Sequence, residues 1–185
     1  MTDFNSLPEN LPPPIDDGAT THLEGAKLPF ISLISTFGTK INVGELRGLT
    51  VIYCYPKTGR PDEALPENWD LIPGARGCTP QACSYRDHHA ELRRLGVELF
   101  AISTQSSEYQ NEMATRLHLT FPVLSDEHLK FTTALSLPTF QNGGQTLLKR
   151  LTMICRDAEI IQVNYPVFPP DKDIERVIAC LKTMG

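Results

Sequence analysis

Thr50-Val51-Ile52-Tyr53-Cys54-Tyr55-Pro56, followed after a long connection by Gly77-Cys78-Thr79-Pro80-Gln81-Ala82-Cys83, decides how this chain folds. The first stretch is a β-branched and aromatic run bounded by Gly48 and Pro56, the pattern of a central strand buried on both faces. The second opens a helix, with Thr79 as its predicted cap and Pro80 at its first position. That helix is predicted to continue through Arg94 until Gly96 stops it. A strand, loop and helix in this order present the junction residue at the carboxyl edge of a sheet, where α/β proteins place their sites. Here that residue is Cys78. Free backbone N–H groups and the helix dipole stabilise a thiolate in such a place, which makes Cys78 the candidate nucleophile.

Working outward, Phe30, Ile31, Leu33 and Ile34, then Ile41 with Val43, predict a β-hairpin turning near Gly38. Val97 to Ser103 reads as a second buried strand. A helix opens at Ser106, with Glu108 in its first turn. Phe121 to Leu124 reads as a short apolar connection, a further helix is predicted from Glu127 to Leu135, and Gln141 to Gly144 as a mobile loop. Leu147 to Cys155 and Glu159 to Tyr165 read as two strands joined at Arg156-Asp157-Ala158. A last helix begins near Asp171 and carries Ile174, Val177, Ile178 and Leu181 at helical spacing. The order βαβαβ, then ββα, predicts a three-layer α/β domain with a mixed sheet and an N-terminal hairpin.

At 185 residues and 41% hydrophobic content, the chain has the size of one domain, placed at residues 27 to 185. Residues 1 to 26 are an acidic, proline-rich arm: Asp3, Glu9, Asp16, Asp17 and Glu24 have no Lys or Arg to offset them. These carboxylates match the whole net charge of −5, so the domain itself is nearly neutral. It offers no basic surface for a phosphate backbone, which argues against nucleic-acid partners. No apolar run is long enough to span a bilayer, and the first residues lack the charged and apolar regions of a secretory signal. A cytoplasmic protein with no membrane partner is therefore expected. The cysteines Cys54, Cys78, Cys83, Cys155 and Cys180 are odd in number, and in a reducing compartment they are catalytic, metal-bound or buried rather than a disulfide framework.

Strand-Tyr55-Pro56, then Gly77-Cys78-Thr79-Pro80-Gln81-Ala82-Cys83-Ser84-Tyr85-Arg86-Asp87, a strand ending in Ile102-Ser103, and Arg150-Leu151-Thr152-Met153-Ile154 together resemble the peroxiredoxins, in particular the Q type, or bacterioferritin comigratory proteins. The resemblance runs from about residue 27 to the C-terminus. It implies a thioredoxin-like fold and thiol-dependent reduction of hydrogen peroxide or organic hydroperoxides. By it, Cys78 matches the peroxidatic cysteine and Cys83 the resolving cysteine that condenses with its sulfenic acid. Arg150 matches the arginine that stabilises the thiolate and the leaving oxygen. The resemblance further implies a thioredoxin-type reductant, no metal, haem or flavin, and a monomer or weak homodimer. One departure is plain: the family threonine three residues before the cysteine is replaced by Ala75. The insertion between Thr58 and Arg76 exceeds the roughly 2–6 residues of an ordinary strand-to-helix loop. If residues 59 to 76 bulge outward, Thr58 takes the vacant role, and the insertion forms a lid or a partner surface.

Residues five apart in an intact helix lie roughly 8 to 9 Å apart, beyond the roughly 7 Å that a disulfide bridges. A Cys78–Cys83 bond therefore requires the first turns to unwind. Other readings of the same residues lead elsewhere. Cys78-x4-Cys83-x4-His88 differs from the short knuckles of tetrahedral zinc sites, and His88 and His89 read as helix-surface residues. Cys54, Cys155 and Cys180 read as core. A general disulfide oxidoreductase lacks support because there is no Cys-x-x-Cys. A peroxiredoxin-like sensor or interaction protein, with little turnover, stands as the alternative function.

Overall fold

The computed structural model describes residues 7 to 184; the first six residues of the predicted arm lie outside it. Its centre is a seven-stranded mixed sheet in the order β2-β1-β5-β4-β3-β8-β9. These strands are β1 (Ser32–Ser35), β2 (Lys40–Asn42), β3 (Leu49–Cys54), β4 (Val97–Ser103), β5 (Val123–Ser125), β8 (Leu151–Arg156) and β9 (Glu159–Asn164). β3 pairs in parallel with β4, and β4 with β5; the remaining pairs are antiparallel. Four helices complete the chain: α1 (Cys78–Arg94), α2 (Ser107–Arg116), α3 (Lys130–Ala134) and α4 (Asp173–Thr183). A separate two-stranded sheet joins β6 (Thr139–Asn142) to β7 (Gln145–Leu148).

β3 shows why the sheet needs cover on both faces. Successive side chains of a strand alternate, so Val51, Tyr53 and Tyr55 pack against α1, α2 and α4, while Ile52 and Cys54 pack into a second cluster with Phe131 of α3 and Leu148 of β7. Tyr53 also stacks on Tyr85 of α1, ring centroids 4.3 Å apart and 10° from parallel, a contact worth about 0.5–1.5 kcal/mol beyond its area. The four apolar residues predicted along the last helix, Ile174, Val177, Ile178 and Leu181, are all buried on the α1 side.

The described part of the arm runs mostly exposed, but its end belongs to the core. Leu23 is fully buried, and the backbones of Gly25 and Ala26 exchange hydrogen bonds with Ile160.

Several elements differ from expectation. The run Leu147 to Cys155 is two strands, because Lys149 and Arg150 interrupt it and the Lys149 N–H turns to the Pro138 carbonyl at 2.8 Å. Gln141 to Gly144 is the tip of the β6–β7 hairpin rather than a loop: Gly143 and Gly144 both have positive φ (54° and 74°), as the favoured two-residue turns require. The apolar connection at Phe121 to Leu124 carries a strand, β5. The helix expected over 127 to 135 shrinks to Lys130–Ala134, because the Asp126 carboxylate takes the Phe131 and Thr132 N–H groups at 2.9 and 2.8 Å and caps it there. The last helix starts at Asp173, behind a short 3-10 turn over Pro170–Lys172.

Candidate active site

β8 runs antiparallel to β3 with Leu151 opposite Cys54, so the start of one strand and the end of the other share an edge of the sheet. Arg150, just before β8, is thereby brought to the chain that leaves β3 and to the first turn of α1. It is only 3% exposed. Its Nη2 donates to Sγ of Cys78 at 3.1 Å and to the carbonyls of Gly74, Ala75 and Arg76 at 3.2 to 3.3 Å. Its Nη1 donates to Oε1 of Gln81. A guanidinium keeps its proton at any working pH. The sulfur therefore faces a fixed cation that also grips the backbone leading up to it.

α1 opens at Cys78, two residues before the predicted first position at Pro80, with Gly77 rather than Thr79 in the capping place. Pro80 then lies in the first turn, where a missing N–H costs nothing because those donors have no intrahelical partner. Gly77 has φ of 102°, and a Cβ there would come within 2.4 Å of Pro170 and 2.7 Å of Leu7. Only glycine fits. Pro170 thus packs against the residue immediately before the thiol.

Cys78 is 4% exposed and Cys83 half-buried, and both thiols are free within one intact helix. Burial raises the Cys83 thiol above its ordinary value, partly offset by the Arg86 guanidinium. Arg86 itself donates to the Leu117 carbonyl at 2.7 Å, tying α1 to the end of α2. Burial pushes Cys155 up to about 12 and Cys54 higher still, so neither thiol ionises in its core position. Cys180 packs half-buried against the α1-side core.

Thr58 is 1% exposed and shares with Cys78 the wall of a cavity of about 10 Å³, alongside Leu65, Trp69, Arg76 and Thr79. A cavity of roughly 10–15 Å³ on this measure holds one water-sized molecule. The Thr58 hydroxyl is already engaged: it donates to Oε1 of Gln105 at 3.2 Å, so it has lone pairs but no proton to offer. Ala75, at the family threonine position, is fully buried, and its carbonyl accepts the Cys78 thiol proton at 3.6 Å.

The insertion folds over this cavity. Trp69, in a short 3-10 turn, is 3% exposed and clusters with Ala75 and Leu147, with Leu65, Ile72 and Phe140 packed alongside. Further ties come from α2: the Arg60 guanidinium lies 4.2 Å from the Tyr109 ring centroid, the Tyr109 hydroxyl donates to Glu63 at 3.0 Å, and Arg116 donates to the Gly59 carbonyl at 3.1 Å.

The structure brings Cys78 and Arg150 together, places Thr58 across the same cavity and sets Cys83 further along the helix. It gives the expected lid its residues and adds others that carried no assigned role. Gln81 bridges Arg150 to the buried carboxylate of Asp173; Trp69 and Leu65 cover the cavity; Arg76 pairs with Asp70 at 3.4 Å beside it. Gln81 had a signal in its position one helical turn after Cys78, and Trp69 and Leu65 in theirs within the long insertion. Among the described residues, no three His, Cys, Asp or Glu side chains gather as a metal site requires. His88 and His89 are taken up by the Ser84 carbonyl and the Thr120 hydroxyl. No helix among these residues is long and apolar enough to cross a membrane.

A buried sulfur at a helix N-terminus, facing a permanent cation and a small cavity, is placed to attack a small electrophile. Comparison with known proteins agrees. The model of the redoxin family matches residues 23–178. The chain is 28% identical to a chloroplastic peroxiredoxin Q of Sedum lineare over 163 residues, 87% of this chain and 78% of that one. It is 35% identical to peroxiredoxin Bcp of Escherichia coli K12 over 100 residues, 54% of each. Peroxidoxin BcpB from Mycobacterium tuberculosis superposes with a TM-score of 0.71 at 22% identity, over 88% of this chain and 97% of that one. A variant of Xanthomonas campestris peroxiredoxin Q gives 0.68 at 20%, over 88% and 99%; at these identities the structures speak for the thioredoxin-like fold alone. The chain belongs to the redoxin family, and within it is similar to peroxiredoxins of the Q type.

Proposed function

We propose that the protein is a thiol-dependent peroxidase of the atypical two-cysteine kind, with Cys78 peroxidatic and Cys83 resolving. The observation that carries this reading is the 3.1 Å contact from Arg150 Nη2 to Cys78 Sγ at the first residue of α1. The Cys78 thiolate attacks one peroxide oxygen; the S–O bond forms as the O–O bond breaks, and the leaving oxygen departs as an alcohol or water after taking up a proton. Arg150 stabilises the negative charge as it moves from sulfur to the leaving oxygen. Thr58, as a hydrogen-bond acceptor, holds the peroxide proton, in place of the threonine replaced by Ala75. Cys83 then attacks the sulfenic sulfur, water leaves, and a disulfide forms. Because both cysteines lie in one helix, its first turns unwind for this step. A thioredoxin-type dithiol restores the thiols.

The protein works as a monomer or weak homodimer in a reducing, cytoplasmic setting, without nucleic-acid or membrane partners; the five free cysteines and the net charge of −5 support that setting. Stopped-flow oxidation by hydrogen peroxide and cumene hydroperoxide, with Cys78→Ser and Cys83→Ser and mass spectrometry of the products, tests the mechanism. Expected are fast oxidation that requires Cys78, a Cys78–Cys83 disulfide in the wild type, and sulfenic or higher acids in Cys83→Ser. Oxidation no faster than that of an ordinary exposed thiol would sink the peroxidase reading in favour of a sensor.

A further inference from the structure

The segment from Pro170 to Asp173 touches α1 at four points that bracket both cysteines. Pro170 abuts Gly77, the Asp171 carbonyl accepts from the Ser84 hydroxyl at 2.8 Å, and the Asp173 carboxylate accepts from Gln81 and Tyr85. Asp173 is the centre of this clamp. It is 1% exposed, and its Oδ2 alone receives three donors: Thr152 Oγ1 at 2.6 Å, Tyr85 Oη at 2.7 Å and Gln81 Nε2 at 3.1 Å. Two of these come from α1 and one from β8.

The orientation of Gln81 follows from its two neighbours. Arg150 only donates, so the amide oxygen must face it, and the amide nitrogen is left to find an acceptor. Asp173 supplies that acceptor, and the donors run from guanidinium to amide to carboxylate. Burial raises the Asp173 carboxyl above its ordinary range, while the hydrogen bonds from Thr152, Tyr85 and Gln81 pull it back. Hydrogen bonds to a charged acceptor are the strong ones. The site proposed to unwind during each cycle is therefore fastened at its first turns by a buried carboxylate that the peroxide chemistry does not use.

We propose that Asp173 is a positioning residue for the second step: through Gln81 and Tyr85 it holds the first turns of α1 folded, and so sets how fast Cys83 reaches Cys78. The inference rests on the two-cysteine reading for its biological meaning, but the latch itself is measurable without peroxide. The tests use Asp173→Asn, which keeps the size and removes the charge, and Tyr85→Phe, which removes a single donor of α1. Thr152→Val, which removes the donor from β8 and leaves both α1 donors in place, serves as the control.

Two readouts apply to each protein in its reduced form: amide-exchange protection of residues 79 to 85, and the rate at which diamide closes the Cys78–Cys83 disulfide. Removing the charge weakens both α1 bonds at once and is expected to speed closure roughly tenfold in Asp173→Asn, and by less in Tyr85→Phe, which loses one of them. Amide protection at 79 to 85 should fall in parallel, while Thr152→Val closes at the wild-type rate. With hydrogen peroxide, the two α1-side variants should also accumulate less sulfinic acid, because Cys83 arrives before a second peroxide. Unchanged closure in Asp173→Asn and Tyr85→Phe, or equal acceleration in Thr152→Val, overturns the latch. Should Asp173→Asn not fold, Tyr85→Phe against Thr152→Val decides alone. A wild type that closes with diamide but is oxidised slowly by peroxide would remove the peroxidase reading and leave the latch standing.

Discussion

The α4 side and the insertion side of Cys78 are built from different materials. Toward α4 the site is polar and buried: Arg150, Gln81, Tyr85, Thr152 and Asp173 form one hydrogen-bonded set whose members come from α1, α4, β8 and the residue before β8. Toward the insertion it is apolar and peripheral: Trp69, Ala75 and Leu147 form a small cluster that rests on the outlying β6–β7 hairpin, not on the central sheet. Buried polar sets fix geometry, because each unpaired member costs the full desolvation of its group. A satellite cluster on a long loop opens at much lower free energy than a core. The contrast assigns chemistry to one side and access to the other.

Arg150→Met is the severest test of that division. Removing a donor aimed at developing negative charge typically lowers rate by about 10²–10³, and Arg150→Lys should recover little, because an ammonium cannot span the carbonyls of residues 74 to 76 and Gln81 together. Stopped-flow oxidation of Cys78 measures both. A near-normal rate in Arg150→Met would mean that the helix terminus alone activates the thiol.

Trp69→Ala should act on access instead. Truncating a buried Trp in a core costs about 3–5 kcal/mol, yet here global stability should fall by less, because the cluster is peripheral. The rate with cumene hydroperoxide should rise relative to that with hydrogen peroxide. If both rates fall together, the insertion belongs to the chemistry and the division fails.

Thr58→Val comes next in size. It removes the hydroxyl bond to Gln105, worth ~1 kcal/mol of stability, while the backbone of Thr58 keeps its own pair of bonds to the Gln105 side chain. If the hydroxyl also accepts from the peroxide, the oxidation rate drops by about tenfold as well; a loss of stability with no change in rate would remove Thr58 from the site.

The smallest effect is expected at Asp17, where the arm is tied to Lys149 and Tyr165 at 2.6 and 2.8 Å. Hydrogen bonds from these two groups lower its carboxyl to about 2. A lowered carboxylate contributes stability in full above its ordinary value near 3.8, and loses it as pH falls through about 2. Exposed pairs of this kind are weak, so Asp17→Asn should shift the denaturation midpoint only slightly. The shift should disappear at about 1 M salt, where screening reaches ~3 Å.

The same division explains what could be read from the residues. The Tyr55-Pro56 strand end, the helix opening at Cys78 and the arginine before a late strand are local patterns, and all lie where the polar side of the site is anchored. The alternation of β3 and the helical spacing of Ile174 to Leu181 made the two faces of the sheet legible. Asp173 was not legible, because an acidic residue at a helix start looks like an ordinary capping charge until the fold buries it against Gln81 and Tyr85. The split of Leu147 to Cys155 was hidden for a similar reason. Apolar residues flank Lys149 and Arg150 on both sides, and only the turn of Lys149 toward Pro138 separates two sheets. The covering role of Trp69 depends on contacts with Leu147 and Phe140, far along the chain, which no local spacing encodes.

Gly77 carries a consequence for the order in which the molecule is made. The residue before the thiol is boxed in by Leu7 from the beginning of the chain and Pro170 from near its end. Arg150 and Asp173, which complete the polar side, also lie late in the sequence. Cys78 is therefore synthesised well before Arg150 and Asp173, and stands with neither its cation nor its clamp until those residues have been added. During that interval it is an ordinary thiol, and it acquires its special surroundings only when residues 150 to 173 dock around it.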